Sequence, residues 1–262
     1  MSTPTNKSSW LLADSAVLNS LINETKIAAL VEVIPEVDST QKVLLERSAN
    51  DLNRGVTLIT HHQSAGIGRL DRTWQSEPGD SILMSFVFRS DSAVLPLFVG
   101  QAVAKAISKY LPNIKLKWPN DLVVEVGGQM RKLGGIVMQR HPQDFEIVVA
   151  GIGINMKFTA SRPTDEAIAL NELISELPDV NQLIFEIITQ LTQDQTQADA
   201  EVVETYKKLC LTIGKNVIVQ MLNSSDVVGH ATNVNQAGAL IIQTNDGEVE
   251  VLTGDVKHLL TN

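Results

Sequence analysis

A chain of 262 residues, 44% of them hydrophobic, is long enough to bury a core and suggests one large domain beside a small one. Its formal net charge of -9 supplies no global positive field to draw it to DNA, RNA or an anionic membrane surface, so any bound anion must be held by a local group of cations. The single cysteine, Cys210, excludes an intramolecular disulfide framework and a CxxC metal or redox signature, and reads as a buried, inert thiol near a helix end.

From the N-terminus, residues 1–9 are polar and lack the apolar core of a signal peptide. No apolar run approaches the ~20 residues of a membrane span, so a cytoplasmic protein with no membrane partner is expected. Leu11 to Leu30, with Leu18, Leu21, Ile22, Ile27 and Leu30 near helical spacing, predicts an amphipathic helix. It is too short and too poor in basic residues to form a DNA-reading domain. Val31 to Val37 reads as a strand, and Asp38-Ser39-Thr40 is an N-cap signature ahead of a helix over Gln41 to Ala49. Capping accounts for Asp38 or Ser39 without any function, although hydroxyls and N–H groups at a helix N-terminus also bind polar ligand groups.

Strands at Val56 to His61 and Ser81 to Phe88 flank a glycine-bearing loop, Gln63 to Trp74, and a helix over Val94 to Leu111 stops at Pro112. Strands follow at Ile114 to Lys117, Leu122 to Val126, Leu133 to Gln139 and Phe145 to Ile152. Tight connections at Gly127-Gly128 and Pro142-Gln143 make several neighbours antiparallel. The expected class is α+β with a mixed, largely antiparallel sheet, not a doubly wound parallel one. Lys157 to Glu166 reads as a mobile loop, followed by helices over Ala167 to Glu176, Val180 to Leu191 and Asp199 to Leu211. Beyond Gly214, five short strands (Val217 to Met221, Val227 to Thr232, Ala239 to Gln243, Glu248 to Leu252, Val256 to Leu260) predict a small closed β-barrel. The expected divisions are a helical extension over 1–30, a larger domain over 31–211 and the barrel over 212–262.

Several chemical signatures are weak. His61-His62 lacks Cys or carboxylate partners at ligand spacing and reads as ordinary surface, and no metal-ligating set is expected. There is no Walker loop, and Gly151-Ile152-Gly153 lacks the third glycine of a dinucleotide fingerprint. The loop is different. Gly66 and Gly68 let backbone approach a ligand, while Arg69 and Arg72 can each bond phosphate or carboxylate oxygens in pairs. Lys117 and Lys132 add compact charge from separate stretches. Any one of them reads as a solvated surface cation, but the set points to a phosphate site.

Asp38-Ser39-Thr40, Gln63 to Trp74, Lys117-Trp118-Pro119-Asn120-Asp121, Arg131-Lys132-Leu133-Gly134-Gly135 and Gly151-Ile152-Gly153-Ile154-Asn155 resemble, in order and spacing, the motifs of biotin protein ligases. The likeness spans nearly the whole chain. It implies a class II synthetase-like catalytic domain and a C-terminal barrel. It also implies an enzyme that adenylates biotin with ATP, Mg²⁺ bridging the phosphates, and passes biotin to a lysine of a biotin carboxyl carrier domain of a carboxylase. No nucleic-acid partner is implied, and a homodimer stays open. Carried over by position, Ser39, Thr40 and Gln63 meet the ureido ring, and Gln41, Gly66, Ile67, Gly68, Arg69, Lys132, Gly135 and Gly151 complete the biotin site. Lys132 lies between the biotin carboxylate and the α-phosphate, and Arg69 contacts phosphate. Arg72, Trp74, Lys117, Asn120 and Asn155 fall on the nucleotide side, and Asp121 meets the incoming lysine. A lid is expected over Lys157 to Ile168.

Three positions depart from the family pattern, which has Arg for Ile67, Gly for Asp71 and Asn for Gln41. Ile67 removes a charge from the ligand loop and bears on how well an adenylate is retained. A lipoate ligase, against which the missing glycine triplet counts, and a non-catalytic biotin-binding module are the alternatives.

Overall fold

The structure, a computed structural model, describes residues 12–27, 29–52, 56–70, 72–193, 197–221 and 225–259. Its larger sheet has seven strands: β1 (Leu30–Val37), β2 (Val56–Gln63), β3 (Ser81–Arg89), β4 (Lys115–Lys117), β5 (Asp121–Val126), β6 (Gln129–His141) and β7 (Asp144–Asn155). Their order is β1-β2-β3-β7-β6-β5-β4. Only β1 and β2 are parallel, joined by a crossover that contains α2 (Thr40–Glu46). The other pairs are antiparallel, so the mixed, largely antiparallel sheet is as expected.

Alternation along the strands sends successive side chains to opposite faces. Ile59, Phe86, Phe88, Val148 and Ala150 enter the main core with α3 (Leu95–Ile107), whereas Leu58, Val87 and Val149 bury with Leu44 of α2. α3 is apolar almost all round, as a fully buried helix must be, and Pro96 sits in its first turn, where a missing N–H costs nothing. The Phe88 and Phe98 rings meet edge to face at 6.2 Å and join it to β3. α4 (Val180–Gln193) and α5 (Asp199–Leu209) pack on α3.

Two helix expectations need correction. The N-terminal helix, α1, covers only Ser15–Thr25; Lys26 turns left-handed at φ 57, and Leu30 already pairs with Val56. Leu11 and residue 28, which the expected helix included, lie outside the described residues. Over Ala167 to Glu176 the only helical element is a 3-10 turn, Leu170–Glu172. Its apolar residues bury in extended form instead: Lys132 N donates to Glu166 O at 2.7 Å and Ile168 N to Lys132 O at 2.9 Å.

The C-terminal strands β8 (Asn216–Gln220), β9 (Val227–Val234), β10 (Leu240–Thr244), β11 (Gly247–Val251) and β12 (Asp255–His258) form an antiparallel sheet ordered β11-β10-β9-β8-β12. Its end strands, β11 and β12, are not hydrogen-bonded to each other among the described residues, so the expected barrel is not closed by pairing. Trp118, 1% exposed, joins the two sheets: its Nε1 donates to Gly238 O at 3.0 Å and its backbone N to Thr212 Oγ1 at 3.0 Å. Among the described residues no helix is long and apolar enough to cross a membrane.

His258 lies at this junction, its Nε2 3.2 Å from Thr212 Oγ1, and burial, with Lys117 and Lys215 close by, pushes its pKa down to about 4. A depressed pKa stabilises the fold fully above the unfolded value of ~6.5, and that contribution is lost as pH falls toward the folded value. Melting temperature should therefore drop more steeply between pH ~6.5 and ~4 in the unaltered chain than in His258→Gln, by scanning calorimetry. Parallel curves would show that His258 is not the group responsible.

Candidate active site

The parallel pairing of β1 with β2 sets Val37 beside Gln63, which brings the end of one strand against the start of α2. Ser39 caps that helix with its Oγ toward Lys42 N at 3.5 Å. Thr40 donates its backbone N and Oγ1 to Gln63 Oε1 at 2.8 and 3.0 Å, and its Oγ1 is 2.7 Å from Ser85 Oγ. The Gln63 NH₂ group lies beside Gly66, 3.0 Å from where a Cβ there would stand. Gln41, 2% exposed, donates Nε2 to Val137 O at 3.2 Å and Val149 O at 3.1 Å, leaving Oε1 buried without a partner among the described residues. Gly151 is what leaves room there, since a Cβ on it would stand 3.5 Å from that oxygen. An unsatisfied buried acceptor costs ~1–3 kcal/mol, so it marks a place for a ligand N–H.

These polar groups lie at one end of a cleft that is open to solvent. Leu83, Met84, Ile136, Val137 and Ile152 supply apolar walls, and Arg69 and Lys132 line it as cations. The glycine loop folds back as two arms. Trp74 N donates to Gly66 O at 2.9 Å, Gly68 N to Arg72 O at 2.7 Å, and Ile67 bridges Thr73. A Cβ on Gly66 would lie 2.5 Å from Trp74 O, so the arms can close only on glycine. The Trp74 ring lies against Gly153, where a Cβ would come within 2.7 Å, and its Nε1 is buried without a partner among the described residues.

Arg69 Nη1 donates to Asn120 Oδ1 at 3.0 Å and Gly254 O at 3.4 Å, and Nη2 to Thr253 Oγ1 at 2.9 Å. Burial pushes this guanidinium below its ordinary value, opposed by nearby Asp121 and Asp255. Lys132 reaches the cavity through a bulge. The β5–β6 register runs Asp121↔Gly135, Leu122↔Gly134, then Val123↔Lys132, which skips Leu133. Asp121 and Val123 share a face, so the one-residue shift delivers Lys132 to the face of Asp121. Lys132 Nζ sits 2.6 Å from Asp121 Oδ1, over the space left by Gly135.

Of the residues singled out for biotin, all but Gly66 line the cavity. Of the nucleotide set, Arg69, Trp74, Asn120 and Lys132 line it; Arg72, Lys117 and Asn155 do not. Arg72 pairs with Asp255, and Lys117 is close enough to Asp255 and His258 to lower both pKa values. Asn155 is buried, its Nδ2 donating to Ile168 O at 3.2 Å and Lys132 O at 3.5 Å, which pins the backbone behind the lysine.

The expected lid is tied at both ends, and none of its residues lines the cavity. Thr159 donates N and Oγ1 to Asp80 Oδ2 at 2.7 and 2.8 Å, Arg131 bonds Asp165 O, and Arg162 pairs with Glu172. Asp71 lies outside the described residues. Ser85, Thr253 and Asp255 were not foreseen. Strand alternation could have suggested Ser85; Asp255 carries no local signal.

The fold and the cavity, with polar groups at one end, an apolar middle and two lining cations, define the catalytic unit of a biotin or lipoate ligase. The Biotin/lipoate A/B protein ligase family matches residues 33–155, and the Biotin protein ligase C terminal domain matches residues 212–259. The biotin–[acetyl-CoA-carboxylase] ligase of Mycobacterium tuberculosis is 32% identical over 243 residues, covering 87% of this chain and 89% of that one. The chain belongs to the biotin protein ligase family. The bifunctional ligase/repressor BirA of Bacillus subtilis is 26% identical, with 84% of this chain and 71% of the relative covered. In fold, the chain is similar to the biotin protein ligase from Aquifex aeolicus in complex with biotin and ATP, at a TM-score of 0.75 and 24% identity, covering 88% of this chain and 99% of the other.

Proposed function

We propose that this chain activates biotin with ATP to biotinyl-5'-AMP, releasing pyrophosphate, and then transfers biotin to a lysine of a biotin carboxyl carrier protein. The observation that carries the reading is the unpartnered Gln41 Oε1 at the polar end of a cavity that also holds Lys132 and Arg69. Biotin has a ureido ring with two N–H donors, an apolar body and a carboxylate, and the cavity offers a match for each. Lipoate has no N–H donor for Gln41, which favours biotin over the lipoate reading.

In the first half-reaction a biotin carboxylate oxygen attacks the α-phosphorus and pyrophosphate leaves. Two anions must approach, so Lys132 and Arg69 lower the cost of bringing them together and stabilise charge developing on phosphorus. In the second, the carrier lysine attacks the acyl carbon, AMP departs, and Asp121 receives the amine proton. Mg²⁺ enters this reading as part of the MgATP substrate. Every group named comes from one chain, and no nucleic acid is involved. A supply of ATP suits the cytoplasm expected above.

ATP–pyrophosphate exchange with and without biotin tests the reading: biotin-dependent exchange is expected. Exchange driven by lipoate alone, or none with either acid, would overturn it.

Ile67 lines the cavity and is 38% exposed, so it can cover a ligand but cannot bond an anion. An arginine there could add a charge-assisted hydrogen bond worth ~1.5–3 kcal/mol. Ile67→Arg should slow release of preformed biotinyl-adenylate by roughly 10- to 150-fold while barely changing the first-turnover rate of pyrophosphate formation. Chase dissociation from both proteins measures this, and equal rates would mean that Arg69 and Lys132 already hold the intermediate.

A further inference from the structure

Among the described residues none beyond Gly153 lines the cavity, yet both arginines of the glycine loop reach the C-terminal sheet. Arg69 bonds Thr253 Oγ1 and Gly254 O, and Arg72 pairs with Asp255 Oδ2. We propose that Asp255 is a positioning residue for the nucleotide half of the site, acting through Arg72 to hold the loop that presents Arg69. This rests on the ligase reading above.

The acceptors sit in a rigid corner. Asp255 opens β12 and pairs with Gln220 of β8, and a Cβ on Gly254 would lie 2.4 Å from Val219 Cγ1, so the turn is packed hard against β8. The other partner is the glycine loop. Among the described residues its arms are closed by few backbone bonds, and Leu70 stands at φ 55, a left-handed conformation that a branched side chain adopts only under outside restraint. A fixed corner holding a strained tip at two arginines is a clamp, and the part it controls is the cation that lines the cavity.

The electrostatics agree. Burial works against ionisation of Asp255, but the Arg72 hydrogen bond, with Lys117 and Lys132 nearby, outweighs it and holds the carboxyl below the usual carboxylate range. Asp255 is therefore charged at neutral pH, facing the cations expected to serve phosphate. The polar end, by contrast, is built by Thr40, Gln41 and Gln63 from α2 and the larger sheet. Loss of the clamp should be felt by ATP and hardly by biotin.

The test uses the full chain and four variants: Asp255→Ala, Asp255→Glu, Arg72→Ala, and Asp255→Ala with Arg72→Ala. Biotin-dependent ATP–pyrophosphate exchange gives KM for ATP and kcat, equilibrium dialysis with labelled biotin alone gives biotin affinity, and calorimetry gives Tm. Because Arg72 is largely solvent-facing, Asp255→Ala should raise KM for ATP by only about fivefold, with biotin affinity held within about twofold. Asp255→Glu should recover part of the loss, and the double variant should be no worse than Arg72→Ala, since the two act as one unit. An unchanged or lowered KM for ATP overturns the proposal, the lowered value marking Asp255 as a competitor of phosphate. Parallel losses of ATP affinity, biotin affinity and Tm overturn it in favour of a structural role. If the unaltered chain shows no biotin-dependent exchange, the ligase reading falls, and this proposal with it.

Discussion

Lys132→Ala should keep the fold and lose adenylate synthesis by ~10²-fold or more, the scale of deleting one donor aimed at developing negative charge, ~3 kcal/mol. The ammonium lines the cavity and is held 2.6 Å from Asp121, in a position that only the β6 bulge makes available. Its backbone, meanwhile, is fixed by Glu166, Ile168 and Asn155, so truncating the side chain leaves those bonds intact. Single-turnover pyrophosphate release measures the loss, and an unchanged melting temperature separates chemistry from folding. Normal turnover would remove Lys132 from the site.

Asp121→Asn should divide the reaction. Adenylate formation proceeds near its normal rate, whereas transfer slows by ~10²-fold, within the usual range for a general base. A carrier lysine with a pKa of ~10.4 must shed a proton before it attacks, and an amide cannot accept it. Asp121 begins paired with Lys132, so it becomes available once ligand anions claim the ammonium. Pyrophosphate release and labelled biotin transfer, assayed separately, distinguish the steps. Equal slowing of both would assign Asp121 to orienting Lys132 or binding ATP.

What could be read from residues alone follows the range of the interactions involved. Alternating apolar positions and the turns at Gly127-Gly128 and Pro142-Gln143 are local, and β5, β6 and β7 appear where they predict, although β6 begins four residues before Leu133. The run Ala167 to Glu176 has helical composition, but two hydrogen bonds to the Lys132 backbone hold its start extended; that competition is tertiary and leaves no local mark. The same holds for the bulge, which exists only as a mismatch between two strands. Motif order brought most of the biotin residues to one cavity, because short elements of the sheet carry them. It carried no mark of the Arg72 partner, which is 183 residues away.

The pairing of cations with carboxylates has a further consequence for selectivity. Inside the cavity Lys132 already has Asp121 as its partner. A stray inorganic phosphate or carboxylate metabolite that drew one cation away would strand a carboxylate, and most of its Coulombic gain would be cancelled. A ligand gains only if it adds the burial of an apolar body to the exchange. Inorganic phosphate alone should therefore compete weakly for Lys132, which its inhibition of adenylate synthesis would measure.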